Sequence, residues 1–96
     1  MLKENFIAVL QATSKAAEVS CNDMLSDSKK LEVVDARSVA IKILSDAGYC
    51  PCRIARFFNK TEASIRYYLN TFEQRKGANK ILEKILQNTR KILANN

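Results

Sequence analysis

Ala36, Val39, Ala40, Ile43, Leu44 and Ala47 stand at i, i+3, i+4, i+7, i+8 and i+11. Only an α-helix, at 3.6 residues per turn, gathers that spacing onto one continuous face. The stripe has punctuation on both sides. Asp35 precedes it as a capping residue. Gly48 follows it, where a left-handed residue ends a helix, and Pro51 then suits the first turn of the next helix, where its missing N–H costs nothing. The whole sequence holds two Gly and one Pro in 96 residues. With so few breakers, and with Ala, Leu, Ile, Lys, Glu and Gln abundant, the expected fold class is all-α.

The same periodicity predicts the other elements. Leu2, Phe6, Val9 and Leu10 place a first helix over about residues 2–18. Val19 to Leu25 reads as a connector with a short turn, with Asn22 and Asp23 as available caps, and Ser26 to Val34 as a polar loop. Ile54, Ala55, Phe57 and Phe58 give a short helix from Pro51, and Asn59-Lys60 a turn. Thr61 is the expected N-cap of a longer helix, with Glu62 near its positive end and Ile65, Tyr68, Leu69 and Phe72 on its inner face. Arg75-Lys76-Gly77 is its expected end. A last helix over about 79–94 turns Ile81, Leu82, Ile85, Leu86, Ile92 and Leu93 inward. The expectation is one domain over 1–96, a small bundle of about five helices. Within it, 1–34 form an N-terminal helix and loop, 35–76 the central helices, and 77–96 the C-terminal helix.

Charge narrows the classes of partner. The net charge is +6. Residues 1–36 carry four Lys against six acids, while residues 37–96 carry twelve Lys and Arg against four acids. A basic excess gathered in one part of a chain suits a polyanion. It equally suits a helical protein with solvated basic faces. Residues 1–20 are interrupted by Lys3, Glu4, Gln11, Lys15 and Glu18, so neither a signal peptide nor a membrane span is expected. The basic residues are not gathered opposite an exposed apolar face, which speaks against an anionic membrane surface. There is no His. No nucleophile–base pair or carboxylate pair is evident, so neither an enzyme nor a small-molecule substrate is expected. Cys21, Cys50 and Cys52 are three thiols without His partners, short of the four ligands of structural zinc. They read as semi-buried free thiols in a reducing compartment, with no metal and no cofactor.

The segment from Pro51 to Phe72 carries the functional signal. A short helix, a tight turn and a longer helix force a steep crossing, the helix-turn-helix arrangement, in which the second helix lies in the major groove of DNA. With Ile65, Tyr68, Leu69 and Phe72 inside, Glu62, Ala63, Arg66, Tyr67 and Asn70 face out. Arg66 suits guanine or phosphate, Asn70 suits adenine, and Ala63 suits a thymine methyl. Thr61 and Ser64 suit phosphate. The same spacing also serves a helical hairpin with a solvated outer face.

Several segments in order resemble the C-terminal DNA-binding domain of the bacterial replication initiator DnaA, of the tryptophan-repressor-like helix-turn-helix group. Val19-x-Cys21-x-Asp23-Met24-Leu25-Ser26 resembles its apolar-then-"DLLS" segment, and Lys29-Lys30 falls in its basic loop. Asp35-Ala36-Arg37-Ser38-Val39-Ala40 resembles its "RPRQIA" helix start, and Ile54-Ala55-Arg56-Phe57-Phe58 its "IGxxF". Lys60-Thr61-Glu62-Ala63-Ser64-Ile65 falls on its signature "RDHTTV". The resemblance implies that Lys29 enters the minor groove, that Arg37 binds phosphate, and that Pro51 and Cys52 present a helix start to the backbone. It also implies that Lys60 to Ser64 sit in the major groove. Two departures stand out. The Asp-His-Thr reading triplet is Thr61-Glu62-Ala63 here, and Asp27, Leu31, Glu32 and Asp35 dilute the basic loop. No Gly-rich phosphate loop exists in a chain with two isolated Gly, so the initiator's nucleotide chemistry is not expected.

The expected function is therefore double-stranded DNA binding by a regulatory or accessory replication or transcription factor, cytoplasmic and nucleoid-associated. Lys29, Lys30, Arg37 and Arg53 would supply electrostatic contacts. Lys60, Thr61, Glu62, Ala63, Ser64, Arg66, Tyr67 and Asn70 would form the reading surface. The alternative is a protein-interaction module that keeps the fold without specific DNA binding. The last helix either closes the core or pairs with a second copy in a homodimer.

Overall fold

The computed structural model describes residues 5–95. The elements are α1 (Phe6–Ala17), α2 (Cys21–Leu25), α3 (Leu31–Asp46), α4 (Pro51–Phe58), α5 (Glu62–Ala78) and α6 (Lys80–Ala94), with no strand among the described residues. All six helices contribute to one hydrophobic cluster. The all-helical bundle expected from periodicity is what the chain forms, with one helix more than expected.

The central element is α3, which packs against each of the other five helices. That explains why its buried surface is broader than the stripe read from the sequence: Ile41 and Val33 are buried as well as Ala36, Val39, Ala40, Ile43 and Leu44. The helices at the two ends of the described chain, α1 and α6, lie against one another. Gly48 ends α3 at φ 106°, and Tyr49 N–H reaches back to the Leu44 carbonyl at 3.1 Å. This is the expected left-handed termination. The aromatic ring of Phe6 stacks on Phe57 with centroids 4.4 Å apart and lies 4.5 Å from Tyr49, so the start of α1 clamps the α3–α4 corner.

Four expectations are corrected. First, Asn5 caps α1 by accepting from Ala8 N–H at 2.8 Å, so the helix begins at Phe6; Leu2 lies outside the described residues. Second, the connector over 19–25 contains the helix α2. Its cap is Ser20, whose hydroxyl accepts from Asp23 N–H at 3.0 Å, and neither Asn22 nor Asp23 has that role. The turn is drawn into a helix because it buries Met24 completely.

Third, α3 begins at Leu31, inside the expected loop, with Lys30 at its N-cap position and no side-chain cap. Asp35 lies within the helix and is buried; its carboxylate accepts from Asn79 Nδ2 at 3.1 Å. Burial of Val33, one helical step before Ala36, extends the helix backwards. Fourth, α5 runs through Gly77 to Ala78. Asn79 joins α5 to α6 by donating its N–H to Arg75 O at 2.9 Å and accepting from Ile81 N–H at 3.0 Å. This junction turns Ile81 outward, 63% exposed, against the expectation that it lies inside. Leu82 and Ile85 are buried as expected, with Leu86, Ile92 and Leu93 half-buried.

Candidate nucleic-acid interface

Helices α4 and α5 are joined by three residues, Asn59, Lys60 and Thr61. Asn59 adopts the left-handed conformation at φ 54° and lets Lys60 N–H bond back to Ala55 O at 2.9 Å. Thr61 then opens α5 as its N-cap, accepting from Ser64 N–H at 3.1 Å. Ile54, Ala55 and Phe58 of α4 and Ile65 and Phe72 of α5 are buried in the shared core. The core side chains set the rotation of α5, and Glu62, Ala63, Arg66, Tyr67 and Asn70 are left exposed as the periodicity indicated. Tyr67 is 58% exposed, unusual for a large aromatic residue.

Beside this face lies a cleft of about 430 Å³ between the α2–α3 loop and α5. Lys29, Arg37, Lys60, Ser64, Tyr67, Tyr68 and Arg75 line it with Asp27 and Val34. Five residues singled out in the sequence for separate reasons, Lys29, Arg37, Lys60, Ser64 and Tyr67, thus line one cleft. Tyr68 and Arg75 join them unanticipated, with the Arg75 guanidinium 5.8 Å from the centre of the Tyr68 ring. Ser64, Tyr68 and Arg75 are spaced i, i+4, i+11. That spacing is the signal the sequence offers; there Arg75 reads as a C-terminal cation and Tyr68 as core.

Arg37 has a different role from the phosphate contact that the resemblance implies. It is 2% exposed. Its Nε donates to Met24 O at 2.9 Å, its Nη1 to Ser28 O at 3.2 Å and the Tyr68 hydroxyl at 3.1 Å, and its Nη2 to Ser26 O at 2.7 Å and Asp23 O at 3.4 Å. A guanidinium has five N–H groups, and each has an acceptor within the protein. Arg37 therefore shapes the α2–α3 loop and ties it to α5.

Two other basic residues are internally paired. Arg66 Nη2 and Nε lie 2.7 and 3.0 Å from the same Glu62 carboxylate oxygen, one helical turn away. Lys60 Nζ lies 3.2 Å from Asp27 Oδ1 and 3.4 Å from Ser26 O, which pins the α4–α5 turn to the loop. No protein-family model matches the chain, and no curated protein matches it. Its chemistry is therefore read from its own residues.

The remaining sites expected from the sequence are distributed as follows. Lys29 and Lys30 are exposed in the α2–α3 loop. Pro51 occupies the first turn of α4, half-buried, with Cys52 and Arg53 exposed beside it. These three form no part of the cleft wall. The Arg53 guanidinium is 5.4 Å from the centre of the Tyr49 ring. Cys50 and Cys52 are exposed and only Cys21 is half-buried, a correction to the reading of all three as semi-buried thiols. Among the described residues, no helix is long and apolar enough to cross a membrane, and no cluster of three His, Cys, Asp or Glu is arranged to hold a metal ion.

Proposed function

We propose that the protein binds double-stranded DNA, using α4, the three-residue turn and α5 as a helix-turn-helix, in a regulatory or accessory role in replication or transcription. The observation that carries this reading is the outer face of α5. Ala63, Arg66, Tyr67 and Asn70 are exposed together along the first half of the second helix, with Lys29 lining the same cleft as Tyr67. They offer a bidentate cation, an amide and an apolar contact, the groups that read base edges in a major groove. The resemblance of residues 9–75 to the DNA-binding domain of DnaA supports the same reading. Phosphate contacts would come from Lys29, Lys30, Arg53, the Thr61 and Ser64 hydroxyls, and the free N–H groups at the start of α5. This is a binding module, not an enzyme.

A second reading, a protein-interaction module without specific DNA binding, draws on the Arg66–Glu62 and Lys60–Asp27 pairs, which satisfy two of the basic residues within the chain. Selection from a randomised duplex library at physiological salt separates the two. An enriched motif, with its half-site spacing, supports sequence-specific binding and reports whether two copies act together. Recovery of no motif, with retention unaffected by Arg66→Ala, sinks the DNA reading.

A further inference from the structure

We propose that Cys50 and Cys52 form a reversible thiol–disulfide pair, closing an intrachain bond by exchange with low-molecular-weight disulfides of the glutathione class. The two Sγ atoms are 2.9 Å apart and both residues are exposed. A disulfide bond is about 2.05 Å long, so the sulfurs have less than an ångström to travel. Local backbone brings them together. Cys50 is the N-cap of α4, in extended conformation at φ −75°, ψ 155°. Cys52 is the second helical residue, and the Pro51 ring between them holds the first turn in place. An N-cap side chain folds over that turn, towards the residue two positions on.

The surroundings distinguish the two thiols. Cys50 is drawn below the usual thiol range, first by its contact with the Cys52 side chain and then by Arg53 backbone N–H. Cys52 is pushed above that range, chiefly by the same contact with Cys50. The thiolate is the nucleophile in exchange, so Cys50 attacks. Its sulfur bonds to one sulfur of the small disulfide, whose S–S bond breaks and expels one thiolate. Cys52 then loses its proton to solvent, and its sulfur attacks Cys50 Sγ and expels the second thiolate. Two protein thiols are oxidised and one small disulfide is reduced to two thiols. Because the new bond is exposed, a reductant reopens it readily. Cys21 takes no part: it is half-buried on α2, with Sγ turned to Leu10 O at 4.0 Å. This inference is independent of the DNA reading.

The test treats the reduced full chain with glutathione disulfide at neutral pH, followed by acid quench, intact mass and peptide mapping. The expected product is lighter by two hydrogens, with the bond on Cys50–Cys52, and dithiothreitol restores the thiols. Cys52→Ser and Cys50→Ser are each expected to hold one lasting mixed disulfide, at Cys50 and at Cys52 respectively. All variants should keep the helical circular dichroism of the parent, since both side chains are exposed. A lasting mixed disulfide on the parent chain overturns the proposal. So does a bond through Cys21 or between chains.

Discussion

Arg37 Nη1 donates to the Tyr68 hydroxyl at 3.1 Å and so links α3 to α5, the helix whose outer face exposes Arg66, Tyr67 and Asn70. The remaining N–H groups of Arg37 go to four carbonyls of α2 and the following loop. One buried cation therefore sets the position of the loop carrying Lys29 and Lys30 relative to α5.

Arg37→Ala should destabilise the fold by about 2–3 kcal/mol, because buried acceptors lose a charged donor. Tyr68→Phe should cost only about 0.5–1.5 kcal/mol, the net worth of one hydrogen bond. Urea unfolding followed by circular dichroism measures both. An Arg37→Ala variant as stable as the parent would show that these bonds do not hold the loop.

The two glycines should respond in opposite directions. Gly77 lies inside α5, and a Cβ there meets nothing within 4 Å. Gly77→Ala should stabilise by about 0.5–1 kcal/mol through helix propensity and reduced chain entropy. Gly48 holds φ 106°, a backbone conformation that an L side chain strains, so Gly48→Ala should cost about 1 kcal/mol or more. Thermal melts of the two single variants check the signs.

Asp35 makes stability depend on acid in an unusual direction. Burial raises its pKa above 3.8, with Glu32 adding to the rise, while the Asn79 bond and Arg75 oppose it. The native state then holds a proton that the unfolded chain has already released. The Asp35 contribution is therefore largest at pH below the ordinary carboxyl value and is lost as pH rises through the raised value. Asp35→Asn removes this titration. Its stability relative to the parent should be greatest near neutral pH and shrink as pH falls towards 4. A difference that stays flat over that range contradicts the shift.

The Arg66–Glu62 pair is solvent-exposed on both sides, so it contributes no more than about 0.5 kcal/mol. It yields easily to a stronger anion. If α5 enters DNA, Arg66→Ala and Lys29→Ala should each weaken duplex binding and lower the slope of log affinity against log salt by about one. Glu62→Gln should strengthen binding by removing an acid next to the phosphates. Fluorescence anisotropy across a salt series reads all three. Unchanged slopes for both cation variants would remove these residues from the interface.

Periodicity made the stripes of α3 and α5 legible, because burial on one helix face repeats every 3.6 residues regardless of the partner. Gly48, Pro51 and Thr61 marked their boundaries, because their backbone and capping preferences are local. The exposed set Glu62, Ala63, Arg66, Tyr67 and Asn70 followed from the same arithmetic. Where a residue's fate depended on a distant segment, sequence reasoning missed it. Asp35 has the composition of a cap yet lies in mid-helix, because Val33 finds a place in the core and Asn79 supplies a donor. Arg37 has the composition of a phosphate ligand yet is buried against α2 carbonyls and Tyr68.

The sequence by itself determined that the chain is helical, where α4 and α5 begin, and which side of α5 faces out. Each of these follows from interactions within a few residues along the chain. Only the tertiary structure decided which cations stay available and which become framework. A guanidinium or ammonium is assigned by the acceptors that other segments bring to it, and those segments meet only when the core closes.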